Sequence, residues 1–191
     1  MKKLPRLTLM FRNLWITSLK RSTPDAARWQ ADASLDPAWD ERTRLLAAWV
    51  PEGSTLIEFG AGRMTLPDFL PPNCRYTPSD LVSRAPSSLV IDLNAAILPE
   101  LPPHDVAFFS GVLEYVADLP RLVEFLSRSV KMVIASYAVC DLNRNRLLRR
   151  ASGWVNDYTI ASLQRLFDAH GFTVTKQGLW KKQVLFRFEK R

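Results

Sequence analysis

The sequence predicts an α/β fold: a doubly wound, mostly parallel, seven-stranded sheet with a C-terminal antiparallel hairpin and an N-terminal helical cap. Three observations predict it. Residues 55–139 alternate short β-rich runs with helical or loop segments, the rhythm of a sheet whose strands are joined by crossovers. Residues 105–110 are nearly continuous in apolar side chains, as a strand buried on both faces should be. Residues 172–176 and 184–188 alternate instead, and lie close enough to pair as a hairpin around Gly178. At 191 residues and 47% hydrophobic, the chain can bury one core with an appendage, which excludes global disorder.

The elements follow in order. Residues 1–21 hold six basic groups and no acid. As a helix they place Lys2, Arg6, Asn13, Thr17 and Lys20 on one stripe, opposite Leu7, Met10, Phe11, Leu14 and Trp15. That face suits a cap packed on the domain, or an in-plane membrane or partner contact. A second helix is marked by Asp36 as N-cap, Pro37 at N1, Asp40 and Glu41 in the first turn, and Pro51 beyond its end. Trp39, Leu45, Leu46 and Trp49 give it a core face. We place the boundary here, with residues 1–52 as the helical cap and 53–191 as the sheet domain.

Thr55–Phe59 is the first strand, and it ends in Gly60-Ala61-Gly62. A Pro-punctuated helix near 65–70 leads to a second strand over 74–78 that ends at Asp80. A third strand spans 88–93 and a fourth 105–110. A helix over 118–128 carries Leu119, Leu122, Val123 and Leu126 at helical spacing. Residues 131–139 form a fifth strand, and a helix over 159–170 closes with Gly171 at C′.

Two cysteines exclude a disulfide scaffold, and no run approaches a membrane span, so a cytoplasmic location is expected, with possible peripheral membrane contact through residues 1–21. Charge is uneven: residues 1–50 carry a net +4, residues 51–143 a net −5 and residues 144–191 a net +8, within a total of +7. An acidic middle with basic ends makes nucleic acid an improbable partner. Cys74, Cys140, His104 and His170 lack metal-ligand spacing, so no metal is expected. No nucleophile elbow or Walker loop is present.

Ligands on such sheets sit beyond the carboxyl ends of the strands, which selects Glu58, Gly60, Gly62, Asp80, Asp92, Ser110, Glu114 and Tyr137. His104 precedes the fourth strand and falls on the opposite edge. The glycines admit a ligand close to the backbone. Glu58 would repel a pyrophosphate and suits an ammonium or sulfonium. Thr65 stands where a dinucleotide fingerprint needs its third glycine. Asp80, 20 residues past Gly60, is placed for ribose hydroxyls, and Asp92 for an adenine amine. Three carboxylates on successive strand ends make an acidic crescent for a cationic adenosine ligand.

The order LIEFGAG, Asp80, VIDLN, DVAFFSGVLEYVADLP and GFTVTKQ resembles class I S-adenosylmethionine-dependent methyltransferases over residues 53–191. Gly111-Val112-Leu113-Glu114-Tyr115-Val116 is similar to the VLEHV-like run that many small-molecule members carry after the fourth strand. The resemblance implies S-adenosylmethionine as cofactor and S-adenosylhomocysteine as product. It assigns Glu58 with Gly60, Ala61 and Gly62 to the amino-acid end, Asp80 to ribose, Asp92 and Leu93 to adenine, and Ser110 to the methionine side. Met64 stands where the family usually has a third glycine.

An in-line methyl transfer needs proximity and alignment, and a hydroxyl acceptor also needs a base. Tyr137 and Asp157 are the weak candidates for that role, Asp157 reading more readily as an N-cap for the next helix. Glu114, Tyr115, Trp154 and Tyr158 are expected at the acceptor. Arg144, Arg146, Arg149 and Arg150 read either as a solvated helix face or as a site for an anionic acceptor. The expectation is methylation, on oxygen, of a small molecule or saccharide. The rivals are a catalytically silent binding or scaffold module and an RNA methyltransferase. Oligomeric state is left open.

Overall fold

The computed structural model describes residues 28–29 and 35–191. The expected N-terminal helix over residues 1–21 lies outside them. A seven-stranded sheet runs in the order β3-β2-β1-β4-β5-β7-β6. Its strands are β1 (Thr55–Phe59), β2 (Arg75–Asp80), β3 (Leu89–Val90), β4 (His104–Phe109), β5 (Val130–Tyr137), β6 (Phe172–Trp180) and β7 (Gln183–Lys190). The first five are parallel, and β7 enters antiparallel between β5 and β6.

Strand periodicity divides the core between two faces. Ile57, Phe59, Ala107, Phe109, Val133 and Ala135 face α2 (Leu119–Ser129) and, beyond α3 (Arg146–Ala151), helix α4 (Ile160–Ala169). Leu56, Val106, Phe108 and Ile134 face α1 (Asp40–Ala47), through Leu46, Ala47 and Val50. Asp36 caps as expected, its carboxylate accepting from Ala38 N–H at 2.9 Å. It starts a 3-10 turn, Pro37–Trp39, which runs into α1. Because α1 shares a core with β1, β4 and β5, it is continuous with the sheet.

Four expectations need correction. The segment near 65–70 is a single 3-10 turn, Leu66–Phe69, because Pro71 holds the preceding Leu70 in an extended conformation that ends the helix. The third strand is two residues, not six. After Ile91 N–H bonds Asp80 C=O (2.8 Å), the Asp92 carboxylate accepts from Asn94 N–H (2.8 Å) and turns the chain away from the sheet. Asp157 does not cap α4. Thr159 does, in a capping box with Ser162. The hairpin turns at Lys181-Lys182, not Gly178: Trp180 pairs with Gln183, and Lys181 takes a φ of 51°. Gly178 lies inside β6, where a Cβ would come 3.2 Å from the Trp49 ring. That glycine gives room to an indole, not to a turn.

Candidate active site

At the carboxyl ends of β1, β2 and β4 lies a cavity of about 430 Å³, a size proper to small ligands. The loop after β1 forms its floor. Gly60, Gly62 and Met64 alternate at φ of 76°, 52° and 56°, so the position without the family's third glycine keeps its left-handed backbone. Gly60 has a second reason to lack a side chain. A Cβ there would lie 2.5 Å from Val112 Cγ2, so the loop after β4 closes directly over it.

The carboxylates meet as the strand-end rule requires. Glu58 is buried and accepts the Tyr76 hydroxyl at 2.6 Å. Burial raises its pKa to about 8, against that hydrogen bond and with the Asp80 charge adding to the rise. Asp80 accepts from Gly62 N–H (2.8 Å) and from Arg84 Nε (3.1 Å), and Arg84 in turn donates to Trp29 C=O (2.7 Å). Asp92 lines the wall with Ile91, Leu93 and Asn94. Every residue expected at the cofactor lines this one cavity: Glu58, Gly60, Ala61, Gly62, Asp80, Asp92, Leu93 and Ser110.

The acceptor-side expectations divide. Glu114, Tyr115 and Trp154 line the cavity. Tyr115 meets the Trp29 ring edge-on, with centroids 5.2 Å apart. Glu114 Oε1 accepts from Ala138 N–H (2.7 Å), Oε2 has no hydrogen-bond partner, and burial raises its pKa. Tyr158 is not on the cavity wall; partly buried, it packs edge-on to Tyr137 against the core.

Neither weak candidate for a base reaches the cavity. Tyr137 is fully buried, donating to Asn156 Oδ1 (2.5 Å) and accepting from Tyr158 N–H (2.9 Å). Its side chain points to the α2 and α4 face, and burial holds its hydroxyl protonated. Asp157 receives Arg149 Nε at 2.7 Å, with Arg150 and Arg146 also on its carboxylate. Burial would raise its pKa, but the Arg150 and Arg149 hydrogen bonds outweigh it and hold the group ionised. Part of the basic run is thus tied up within the fold. Arg149 is interior, donating to Ala138 and Asn156 carbonyls, and three of the run's four arginines share the Asp157 carboxylate, while Arg144 is exposed. His104 is at the opposite edge, as expected, between Thr77 and the Pro102 carbonyl.

The structure adds residues that the sequence reading passed over: Arg42 and Thr43 of α1, Gln183 of β7, and Trp29. Arg42 had a signal. It stands three after Trp39 and four before Leu46, on the buried face of its helix. Gln183 had none.

The donor set fits a cationic adenosine ligand. One half of the cavity offers three carboxylates and a glycine loop beside the apolar side chains of Ile91, Leu93 and Val112. Among the described residues no three His, Cys, Asp or Glu side chains cluster as metal ligands. No helix among them is long and apolar enough to cross a membrane.

Comparison with known proteins agrees. The model of a methyltransferase domain family matches residues 30–177. A putative O-methyltransferase from Nostoc punctiforme superposes with a TM-score of 0.67 at 16% identity, over 98% of this chain and 69% of that one. Burkholderia thailandensis 1,6-didemethyltoxoflavin-N1-methyltransferase, with its acceptor and S-adenosylhomocysteine bound, gives 0.62 at 13% identity, over 100% and 92%. A methyltransferase of calicheamicin biosynthesis, also bound to S-adenosylhomocysteine, gives 0.61 at 17% identity over 81% of this chain. This chain spans about half of that enzyme, 54% of its length. No curated protein sequence matches the chain.

Proposed function

This chain belongs to the methyltransferase domain family, the S-adenosylmethionine-dependent enzymes of the class I fold, and from that premise we propose that it methylates a small-molecule acceptor on oxygen. One observation carries the reading: a single cavity joins an acidic half at the ends of β1 and β2 to an aromatic half built from Trp29, Trp39, Tyr115 and Trp154. A cationic nucleoside fits the first half, and a small acceptor the second.

S-adenosylmethionine supplies an already activated methyl group. The chain's own work is to bind, align and dry the two reactants. Asp80 is placed to accept from the ribose, with Gly62 N–H and Arg84 fixing its carboxylate. Glu58, largely protonated below its pKa of about 8, becomes the counter-ion of an ammonium group brought beside it. Ser110, at the end of β4, marks where the two halves meet.

Calorimetric titration with S-adenosylmethionine and S-adenosylhomocysteine, with NADH as control, tests this. The expected result is binding of the first two and not of NADH. Failure of a folded sample to bind either would favour a silent module and sink the proposal.

A further inference from the structure

Arg42 is a buried cation without an ion pair among the described residues. It is 5% exposed, lines the cavity, and no carboxylate among the described residues lies within ion-pair distance of it. Its Nε–H donates to Ser110 Oγ (3.0 Å), Nη2 to the Ser110 carbonyl (2.9 Å) and Nη1 to Gln183 Oε1 (3.1 Å). The rings of Trp39 and Trp180 flank it at 5.7 and 5.2 Å. Gly111 makes the room, since a Cβ there would lie 2.5 Å from Nη1. Burial lowers the pKa of Arg42, and the charge of Glu114 works against that fall. Burial of Glu114 itself favours its neutral form.

A guanidinium carries more N–H donors than these three bonds use. Arg42 and Ser110 both line the cavity. Among the described residues on the wall there is no histidine, lysine or cysteine to take a proton from a neutral alcohol. The nearby Glu114 has one oxygen held by Ala138 N–H, and the other is buried.

We infer that Arg42 holds an anionic oxygen of the acceptor, so that the substrates are carboxylates or acidic, phenol-like hydroxyls on a flat ring, not neutral alcohols or sugars. The inference rests on the methyl-transfer reading above. Trp29, Tyr115 and Trp154 give such a ring its apolar wall. An oxygen lone pair forms the new O–CH3 bond as the methyl–sulfur bond breaks, and that electron pair leaves on sulfur as a neutral thioether. The acceptor enters as an anion, so no proton has to be removed. Arg42 acts by charge and position, in place of a general base.

The test uses the full chain loaded with S-adenosylhomocysteine and three probes of one shape: naphthoate, naphthylmethanol and naphthylamine. Binding is read by quenching of tryptophan fluorescence. The expected result is that naphthoate binds at least about tenfold tighter than the other two, the size of one charge-assisted contact. Arg42→Met should erase that preference and Arg42→Lys retain part of it, each measured at saturating S-adenosylhomocysteine. Equal binding of the three probes by the wild-type protein, or none at all once S-adenosylhomocysteine is bound, overturns the inference. That comparison needs no variant to fold. Failure of S-adenosylhomocysteine itself to bind would instead strike the methyltransferase reading.

Discussion

Along the cofactor half of the cavity, each lining carboxylate stands at or just past the end of its own strand: Glu58 in β1, Asp80 in β2, Asp92 after β3. Along the acceptor half, the wall is assembled from α1, the loop after β4, the segment after α3 and the first residue of β7. The bond from Arg42 to Gln183 spans 141 positions in sequence. The first half is held by parallel ladder register, which fixes neighbouring strand ends relative to one another. The second is held by side chains that meet only when the whole sheet has closed. One region is built locally and repeats a rule; the other is particular to this chain.

The largest effect expected of this contrast is a pH dependence of stability that comes from Glu58 in the cofactor half. Glu58 has its pKa raised from 4.5 to about 8 in the folded state. The folded protein therefore holds a proton that the unfolded chain releases. The stability this contributes is complete below pH 4.5 and is lost as pH rises through 8, a fall of about 5 kcal/mol. Urea denaturation of the ligand-free protein and of Glu58→Gln across that window should give diverging curves. Parallel curves would show that Glu58 is not buried as described.

Asp80→Ala should weaken S-adenosylhomocysteine binding by about a hundredfold or more, the scale of losing a charged acceptor. Calorimetry reads it, with a thermal melt to show that the variant is folded. An unchanged Kd would move the ribose away from β2 and break the comparison at its root.

Gly60→Ala sharpens the comparison at the seam between the halves. The added Cβ meets Val112, and its φ of 76° disfavours any side chain, so a loss of about 2 kcal/mol in stability is expected. Adding Val112→Ala should restore the steric part and leave the backbone part. No recovery would mean that strain alone is responsible.

Tyr137→Phe should cost about 1 kcal/mol of stability through the lost bonds to Asn156 and Tyr158. Its S-adenosylhomocysteine affinity should stay at the wild-type value. A large drop in methyl transfer at unchanged affinity would return Tyr137 to the reaction.

What could be read from the sequence follows the same division. The apolar run of β4 and the glycines after β1 announce strand and loop chemistry by themselves. The strand-end rule then puts Asp80 and Asp92 on the correct edge without coordinates. That rule overreached at Tyr137, which ends β5 but faces the other side, because alternation along a strand sends successive side chains to opposite faces. Charge alone also could not show that Arg149 and Arg150 of the basic run meet Asp157.

The sequence by itself determined the alternation of strands and helices, the edge where chemistry occurs and the sign of charge along the cofactor half. These depend on residues within a few positions of one another. Tertiary structure alone decided that Arg42 lies against Ser110, that Gly178 yields to Trp49, and that Tyr158 packs against the core. Each of those is a contact between segments whose meeting depends on the packing of every strand between them, and no local pattern encodes it.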